Sequence, residues 1–163
     1  MKIAFELNGK PTSLEIEPRE TLAEVLRARC RLTGVKLSCE SQVCGTCTVL
    51  VDDIPVSACT YLAYEIRDKH VTTIEGLVDG GRLHPVQQAF LDNFAFQCGF
   101  CTPGMIMSSI DIVNRKGSNI DEQTIREELE GNICRCTGYH NIVKSVAQGA
   151  REMAISGAAK AAE

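Results

Sequence analysis

The 163-residue sequence has no long hydrophobic run and no excess of basic residues. Its longest apolar stretches fall far short of the ~20 residues that a membrane-spanning helix needs. The 17 lysines and arginines are outnumbered by 21 aspartates and glutamates, which leaves a net charge of −4. Nucleic-acid-binding proteins instead carry a basic face. Neither a membrane span nor a nucleic-acid partner is therefore expected.

The N-terminal residues lack the hydrophobic region of a signal peptide, because Glu6, Asn8 and Lys10 interrupt it at once. The expected compartment is the cytoplasm. Disulfides are rare there, and closely spaced cysteines usually bind metal or do redox chemistry. The nine cysteines would also leave one thiol over in a complete disulfide framework. The cysteines are thus interpreted as metal ligands.

The first 76 residues predict a small α+β unit. Residues 2–7 alternate between apolar and polar, which is typical of a half-buried strand, and Asn8-Gly9 then predicts a tight hairpin turn. Thr21 and Glu24 form a capping-box pair, so a helix is expected to begin there. Three short apolar segments predict further strands: 48–51, 54–57 and 71–74. This order is that of a β-grasp sheet packed on one helix.

After a glycine-rich linker the pattern becomes helical, and a second domain is predicted over residues 77–163. Pro85 and Pro103 suit the first turn of two helices. Asp121 can cap a third helix, and a fourth is expected from about Asn141. The second domain is therefore predicted to be an all-α four-helix bundle.

Four cysteines of the first domain have the C-x4-C-x2-C…C spacing of plant-type 2Fe–2S ferredoxins. These residues, called the first cysteine set, are Cys39, Cys44, Cys47 and Cys59. Soft thiolate ligands suit iron–sulfur clusters, and the small residues Ser41, Gly45 and Thr46 leave backbone amides free to point at the cluster sulfides. Structural zinc sites usually pair two C-x2–4-C knuckles instead. The spacing therefore favours a cluster over zinc.

The second cysteine set is less diagnostic by its spacing. Its members are Cys98, Cys101, Cys134 and Cys136. Both pairs are expected where helices begin, since N-terminal amides stabilise thiolate charge. On spacing alone, a zinc site stays an open alternative here.

Two long motifs surround the second set. The segments Gln97-Cys-Gly-Phe-Cys-Thr-Pro-Gly104 and Glu130-Gly-Asn-Ile-Cys-Arg-Cys-Thr-Gly-Tyr139 closely resemble the small iron–sulfur subunit of molybdenum hydroxylases, the xanthine oxidase family. The first cysteine set and the segment His84-Pro85-Val86-Gln87 match this family as well. The resemblance covers roughly residues 2 to 155. The segment Thr137-Gly-Tyr-His-Asn-Ile-Val-Lys144 leans toward the small subunits of aerobic carbon monoxide dehydrogenases.

The resemblance implies a plant-type ferredoxin domain followed by a helical domain, each with a 2Fe–2S cluster. It implies an electron-transfer subunit that accepts electrons from molybdopterin on a large partner chain and delivers them to FAD on a medium one. A dimer of heterotrimers is the implied assembly, and no catalytic residue is expected here. By motif position, Gln97 and Cys136 should lie against the pterin. The absence of a G-x-G-x-x-G phosphate loop agrees with cofactors held by other chains.

One residue departs from the family pattern. Many members have glycine two places before the second cysteine of the ferredoxin loop, where this chain has Gln42. A side chain there must either accept a positive φ or be accommodated by a different loop.

Two alternative functions belong to other classes. A free-standing two-cluster ferredoxin or redox sensor needs one exposed cluster, whereas the helical bundle is expected to enclose the second set. A zinc-stabilised interaction module would bind one or two zinc ions in place of iron. Cys30, the ninth cysteine, is expected to be a core thiol, and His140 a helix-start residue.

Overall fold

The computed structural model describes residues 1–160 of the chain, so the last three residues of the predicted second domain lie outside it. Within the described residues there are five strands: β1 Lys2–Leu7, β2 Lys10–Glu15, β3 Thr48–Val51, β4 Ile54–Ser57 and β5 His70–Thr72. The α-helices of the same range are α1 Leu22–Glu24, α2 Pro85–Asp92, α3 Thr102–Lys116, α4 Glu122–Glu128 and α5 His140–Lys160. None of these helices is long and apolar enough to cross a membrane.

The strands form one mixed sheet in the order β2-β1-β5-β3-β4. β1 and β5 are parallel, and the other neighbours are antiparallel. The hairpin between β1 and β2 turns at Asn8 and Gly9, whose φ angles of 51° and 76° match the right-handed twist of the strands. The sheet and the single early helix confirm the predicted β-grasp architecture.

The early helix begins at the predicted capping box. The hydroxyl of Thr21 accepts a hydrogen bond from the Glu24 amide at 3.2 Å, and the Glu24 carboxylate accepts one from the Thr21 amide at 2.7 Å. α1 then continues as a π-helical segment, Val25–Arg29. Its fully buried residues Leu22 and Leu26 pack against the sheet, which closes the first hydrophobic core.

Two helices of the second half, α2 and α4, begin at polar caps. His84 Nδ1 accepts a hydrogen bond from the Val86 amide at 3.3 Å, and the His84 amide donates one to the Gln87 side-chain oxygen at 3.0 Å. Asp121 accepts from the Thr124 amide at 2.9 Å at the start of α4. α2, α3, α4 and α5 surround a second core, which confirms the predicted helical bundle.

β3 joins the two cores, because all four of its residues are buried. Val49 and Val51 point into the first core, while Leu50 points to the opposite face and into the second core. Side chains alternate between the faces of a sheet, so one strand can serve both cores. α3 packs across β3 on the Leu50 face. The helical part therefore lies against the sheet rather than at the end of a flexible linker.

Candidate metal centres

The loop that carries three cysteines of the first set curls tightly just before β3. Glu40, Gln42 and Gly45 all have positive φ angles, of 52°, 65° and 67°. Alternation between right- and left-handed backbone turns successive amides toward one concave side, where they can donate to an anion. Cys47 directly precedes β3, and Cys59 follows β4, so the β3–β4 hairpin brings the fourth cysteine back to the loop.

The thiols of the first set fall into two neighbouring pairs. Cys39 is within hydrogen-bonding reach of Cys44, and Cys47 of Cys59. The Ser41 amide donates to Cys39 Sγ at 3.4 Å. This hydrogen bond, with the Cys44 thiol, lowers the pKa of Cys39 to about 6. Burial raises the pKa of Cys47 to about 12, so this thiol needs a metal ion to become a thiolate at neutral pH.

Gln42 accepts the positive φ that the family pattern reserves for glycine. Its φ is 65°, and its side-chain amide donates a hydrogen bond to the Thr60 hydroxyl. Thr60 directly follows Cys59, so this contact joins the cysteine loop to the segment that supplies the fourth thiol. Of the two outcomes expected at Gln42, the strained backbone is the one observed.

The second set lies on two loops of the helical half. Cys98 lies between α2 and α3, and Cys101 is the N-cap residue of α3, as predicted. Cys134 and Cys136 lie between α4 and α5, and α5 begins only at His140. The expectation that both pairs sit at helix starts is therefore wrong for the later pair, because a turn containing Gly138 separates it from the helix.

The thiols of the second set also form two pairs, each with one member from either loop. The Sγ atoms of Cys98 and Cys136 are 3.5 Å apart, and Cys101 is within hydrogen-bonding reach of Cys134. Burial raises the pKa of Cys101 to about 12. Burial acts in the same direction on Cys134, but hydrogen bonds from Thr137 outweigh it and lower the Cys134 pKa. The hydrogen bond that Cys136 donates to Cys98 raises the pKa of Cys136.

The pairwise arrangement fits binuclear clusters better than zinc. A structural zinc ion needs four ligands that converge on one point. A 2Fe–2S cluster instead takes two thiolates at each of its two irons. Each cysteine set supplies two such pairs.

The two sets differ in exposure. Cys47 and Cys59 are buried, whereas Cys98 and Cys136 are exposed. Gln97, directly before Cys98, is exposed as well, so the two residues predicted to meet the pterin share one open edge. The expectation that the helical bundle encloses the second set is wrong for the Cys98–Cys136 pair, because the bundle packs only against Cys101 and Cys134.

The two cysteine loops touch each other directly. The Ile133 amide donates to the Cys44 carbonyl at 2.9 Å, and the Asn132 side chain donates to the Gly45 carbonyl at 3.2 Å. The Tyr139 hydroxyl forms hydrogen bonds with the Cys134 amide and the Asn132 carbonyl. Sequence reasoning assigned no role to Asn132 or Tyr139. The one sequence feature that pointed to these two residues was their position inside the motif around Cys134 and Cys136.

The cysteine-bearing halves of the chain match two known domain families. Residues 5–72 match a family model described as a 2Fe–2S iron–sulfur cluster binding domain. Residues 73–147 match a second model, described as a 2Fe–2S binding domain.

Curated relatives cover nearly the whole chain. The 6-hydroxypseudooxynicotine dehydrogenase complex subunit beta of Paenarthrobacter nicotinovorans is 42% identical over 144 residues, which are 88% of this chain and 90% of that one. The xanthine dehydrogenase iron-sulfur-binding subunit of Escherichia coli O157:H7 is 45% identical over 147 residues, which are 88% of this chain and 91% of that one.

A solved structure has the same fold over its full length. One chain of quinoline 2-oxidoreductase from Pseudomonas putida 86 superposes with a TM-score of 0.92 at 39% identity, covering 96% of this chain and 97% of that one. The similarity in sequence and in structure therefore extends across both cysteine sets.

Proposed function

The chain belongs to the small iron–sulfur subunits of the xanthine oxidase family of molybdenum hydroxylases, and from this premise we propose which of its residues carry the function. It is an electron-transfer subunit of a molybdenum-dependent oxidoreductase and carries two 2Fe–2S clusters. Molybdopterin and FAD are held by partner chains. Substrate oxidation takes place on a partner, so this chain needs no catalytic residue of its own.

We propose that each cysteine set ligates one cluster, with each thiol pair on one iron. The proposed ligands are Cys39, Cys44, Cys47 and Cys59 for the first cluster, and Cys98, Cys101, Cys134 and Cys136 for the second. When bound, such clusters supply one-electron carriers whose potentials respond to hydrogen bonds at sulfur and to solvent exposure. The paired thiols are the single observation that carries this assignment.

We further propose that the Cys98–Cys136 edge faces the molybdopterin of the large partner chain. Gln97 is exposed beside this edge and offers both an amide donor and an amide acceptor for a polar cofactor. Two phenylalanines of the same loop region are also open to solvent: Phe94 is 79% exposed and Phe100 46%. Aromatic residues are enriched in the cores of protein interfaces. A partner that covers this edge would bury them.

The remaining features of the assembly are proposals of the same kind. They are a medium FAD-binding partner, a dimer of heterotrimers, a cytoplasmic location and a division into residues 1–76 and 77–163. Two separate hydrophobic cores support the division, although Ile74 already packs with the second core.

A second candidate function is a free-standing two-cluster carrier, which the exposed Cys98–Cys136 pair would also suit. Purification from the native host under anaerobic conditions separates the two. We expect about four irons and four acid-labile sulfides per chain, from two binuclear clusters, together with molybdenum and FAD on co-purifying chains. Recovery of the chain alone with its full iron content would favour the free-standing carrier. Zinc in place of iron would contradict both candidate functions.

The role of Gln97 is tested by Gln97→Ala in the complete complex. We expect both clusters to be retained, while the molybdenum content or the rate of cluster reduction by substrate falls. Gln123→Ala, on the surface of α4, is the matched control and should change neither quantity. Unchanged values in Gln97→Ala would remove this residue from the cofactor contact.

A further inference from the structure

Two side chains outside the proposed ligands connect the two cysteine loops. We propose that Asn132 and Tyr139, together called the loop clamp, are positioning residues that hold the Cys134 loop in fixed register against the Cys44 loop. The inference rests on the proposed function, because register between the loops matters only if each one carries a cluster.

Asn132 fixes the contact from the side of the second set. It is only 6% exposed, and its side-chain amide donates to the Gly45 carbonyl at 3.2 Å. Next to it, the Ile133 amide donates to the Cys44 carbonyl at 2.9 Å. A Cβ atom on Gly45 would lie less than 3.0 Å from the Asn132 side chain, so the backbone approaches as closely as glycine allows. Side chain and backbone thus hold two successive carbonyls of the first loop.

Tyr139 fixes the shape of the second loop itself. Its hydroxyl accepts a hydrogen bond from the Cys134 amide at 2.8 Å and donates one to the Asn132 carbonyl at 2.9 Å. The residue has a φ of 68°, which is unfavourable for a bulky side chain. One hydroxyl therefore spans the segment from Asn132 to Cys134.

The clamp has two consequences for electron transfer. It maintains the hydrogen bond from the Ile133 amide to the Cys44 carbonyl. Ile133 directly precedes the proposed ligand Cys134, and Cys44 is itself a proposed ligand, so this bond connects the backbones of the two cysteine loops. The Tyr139 hydroxyl also accepts the hydrogen bond of the Cys134 amide, so this amide does not donate to a sulfur atom. Because hydrogen bonds to sulfur set the reduction potential of a cluster, the clamp influences the potential of the second cluster. Transfer between the clusters moves one electron and requires no bond change and no proton. The protein can therefore control this transfer through the relative position of the two clusters and through their reduction potentials.

The test uses the complete complex with Asn132→Ala and, separately, Tyr139→Phe, which removes only the hydroxyl. Tyr64→Phe removes a hydroxyl from a half-buried tyrosine in the first domain and is the matched control. Electron paramagnetic resonance of the fully reduced protein measures the magnetic coupling between the clusters, and a redox titration measures each potential. Iron content establishes that both clusters are present.

We expect Tyr139→Phe to keep the wild-type iron content and to shift the potential of the second cluster while leaving that of the first unchanged. We expect Asn132→Ala to weaken or broaden the coupling and to slow electron exchange between the clusters several-fold. If the coupling, both potentials and the exchange rate match those of wild type in both variants, the clamp has no positioning role. Wild-type protein without two 2Fe–2S signals would instead overturn the proposed function itself.

Asn132→Ala is compared at matched iron loading with Asn132→Asp, which keeps the shape of the side chain but loses the donor to Gly45. A fall in thermal stability alone, with unchanged coupling and potentials, marks a merely structural role and contradicts the proposal.

Discussion

Gln42 occupies a backbone conformation that glycine adopts more easily. Its φ of 65° is left-handed, and its side chain is held by the hydrogen bond to Thr60. A left-handed residue other than glycine costs about 1–2 kcal/mol, while an ordinary hydrogen bond contributes about 1 kcal/mol. The two effects at this residue are therefore of similar size and opposite sign.

Gln42→Ala and Gln42→Gly separate these effects, because both remove the hydrogen bond and only glycine relieves the backbone. We expect the glycine variant to be more stable than the alanine variant by about 1 kcal/mol. Loss of visible cluster absorbance during thermal unfolding measures the difference. Equal stability of the two variants would mean that the positive φ carries no strain.

His84 predicts a pH dependence of stability. Burial lowers its pKa below the ordinary value of 6.5, and its Nδ1 can accept from the Val86 amide only when unprotonated. The unfolded chain therefore binds the proton more tightly. The stability that His84 contributes is complete above pH 6.5 and is lost as the pH falls through this value toward the lower folded-state pKa.

His84→Ser keeps an N-cap acceptor but removes the titrating group. We expect the stability of this variant to fall less steeply than that of wild type as the pH decreases from about 7 to about 5. Thermal unfolding by far-UV circular dichroism at several pH values measures the two slopes. Parallel slopes would exclude His84 as the source.

At the scale of elements, the first turn of α3 packs against the first cysteine loop through Gly104. A Cβ atom there would lie less than 3.0 Å from the carbonyl oxygen of Thr46 and even closer to that of Gly45. Backbone carbonyls cannot move aside as a flexible side chain can. The helix start that carries Cys101 is thereby held against the loop that carries Cys44 and Cys47.

Glycine to alanine inside a helix ordinarily stabilises a protein by about 1 kcal/mol. We expect the opposite sign for Gly104→Ala, a loss of about 1–3 kcal/mol from overpacking between α3 and the loop. Gly131→Ala adds the same methyl group into open space and is the matched control. Chemical denaturation of both variants checks the sign, and a stabilised Gly104→Ala would contradict the close packing.

At the scale of the whole molecule, the two cysteine sets belong to different cores yet form one structure through β3, α3 and the contacting loops. Each of the four thiol pairs has both of its members in the same set. Removal of a ligand should therefore affect one cluster and spare the other.

Cys98→Ser tests this independence. We expect the iron content to fall from about four to about two per chain, with the signal of the ferredoxin-like cluster intact and turnover with flavin acceptors abolished. Cys30→Ser is the control, since Cys30 is half-buried against the first core and outside both sets. Two unchanged paramagnetic signals in Cys98→Ser would remove Cys98 from the ligands.

Local chemistry made much of the fold predictable. The Asn8-Gly9 turn, the Thr21 capping box and the Asp121 cap each depend on residues within a few positions of one another, and all three are present. The strand predicted over 71–74 is shorter, because the chain turns into a 3-10 helix at Ile74. There the packing of Ile74 onto the second core outweighed its β-branched preference for a strand.

The sequence by itself predicted the chemistry of this protein, through the C-x4-C-x2-C…C spacing of the first cysteine set and through the two motifs that surround the second. Only the tertiary structure decided which thiols pair, which pair is exposed and how the two loops meet. The contact between Gly45 and Asn132 joins residues 87 positions apart. Such a contact depends on the packing of two cores against one sheet, and no pattern in either segment specifies it.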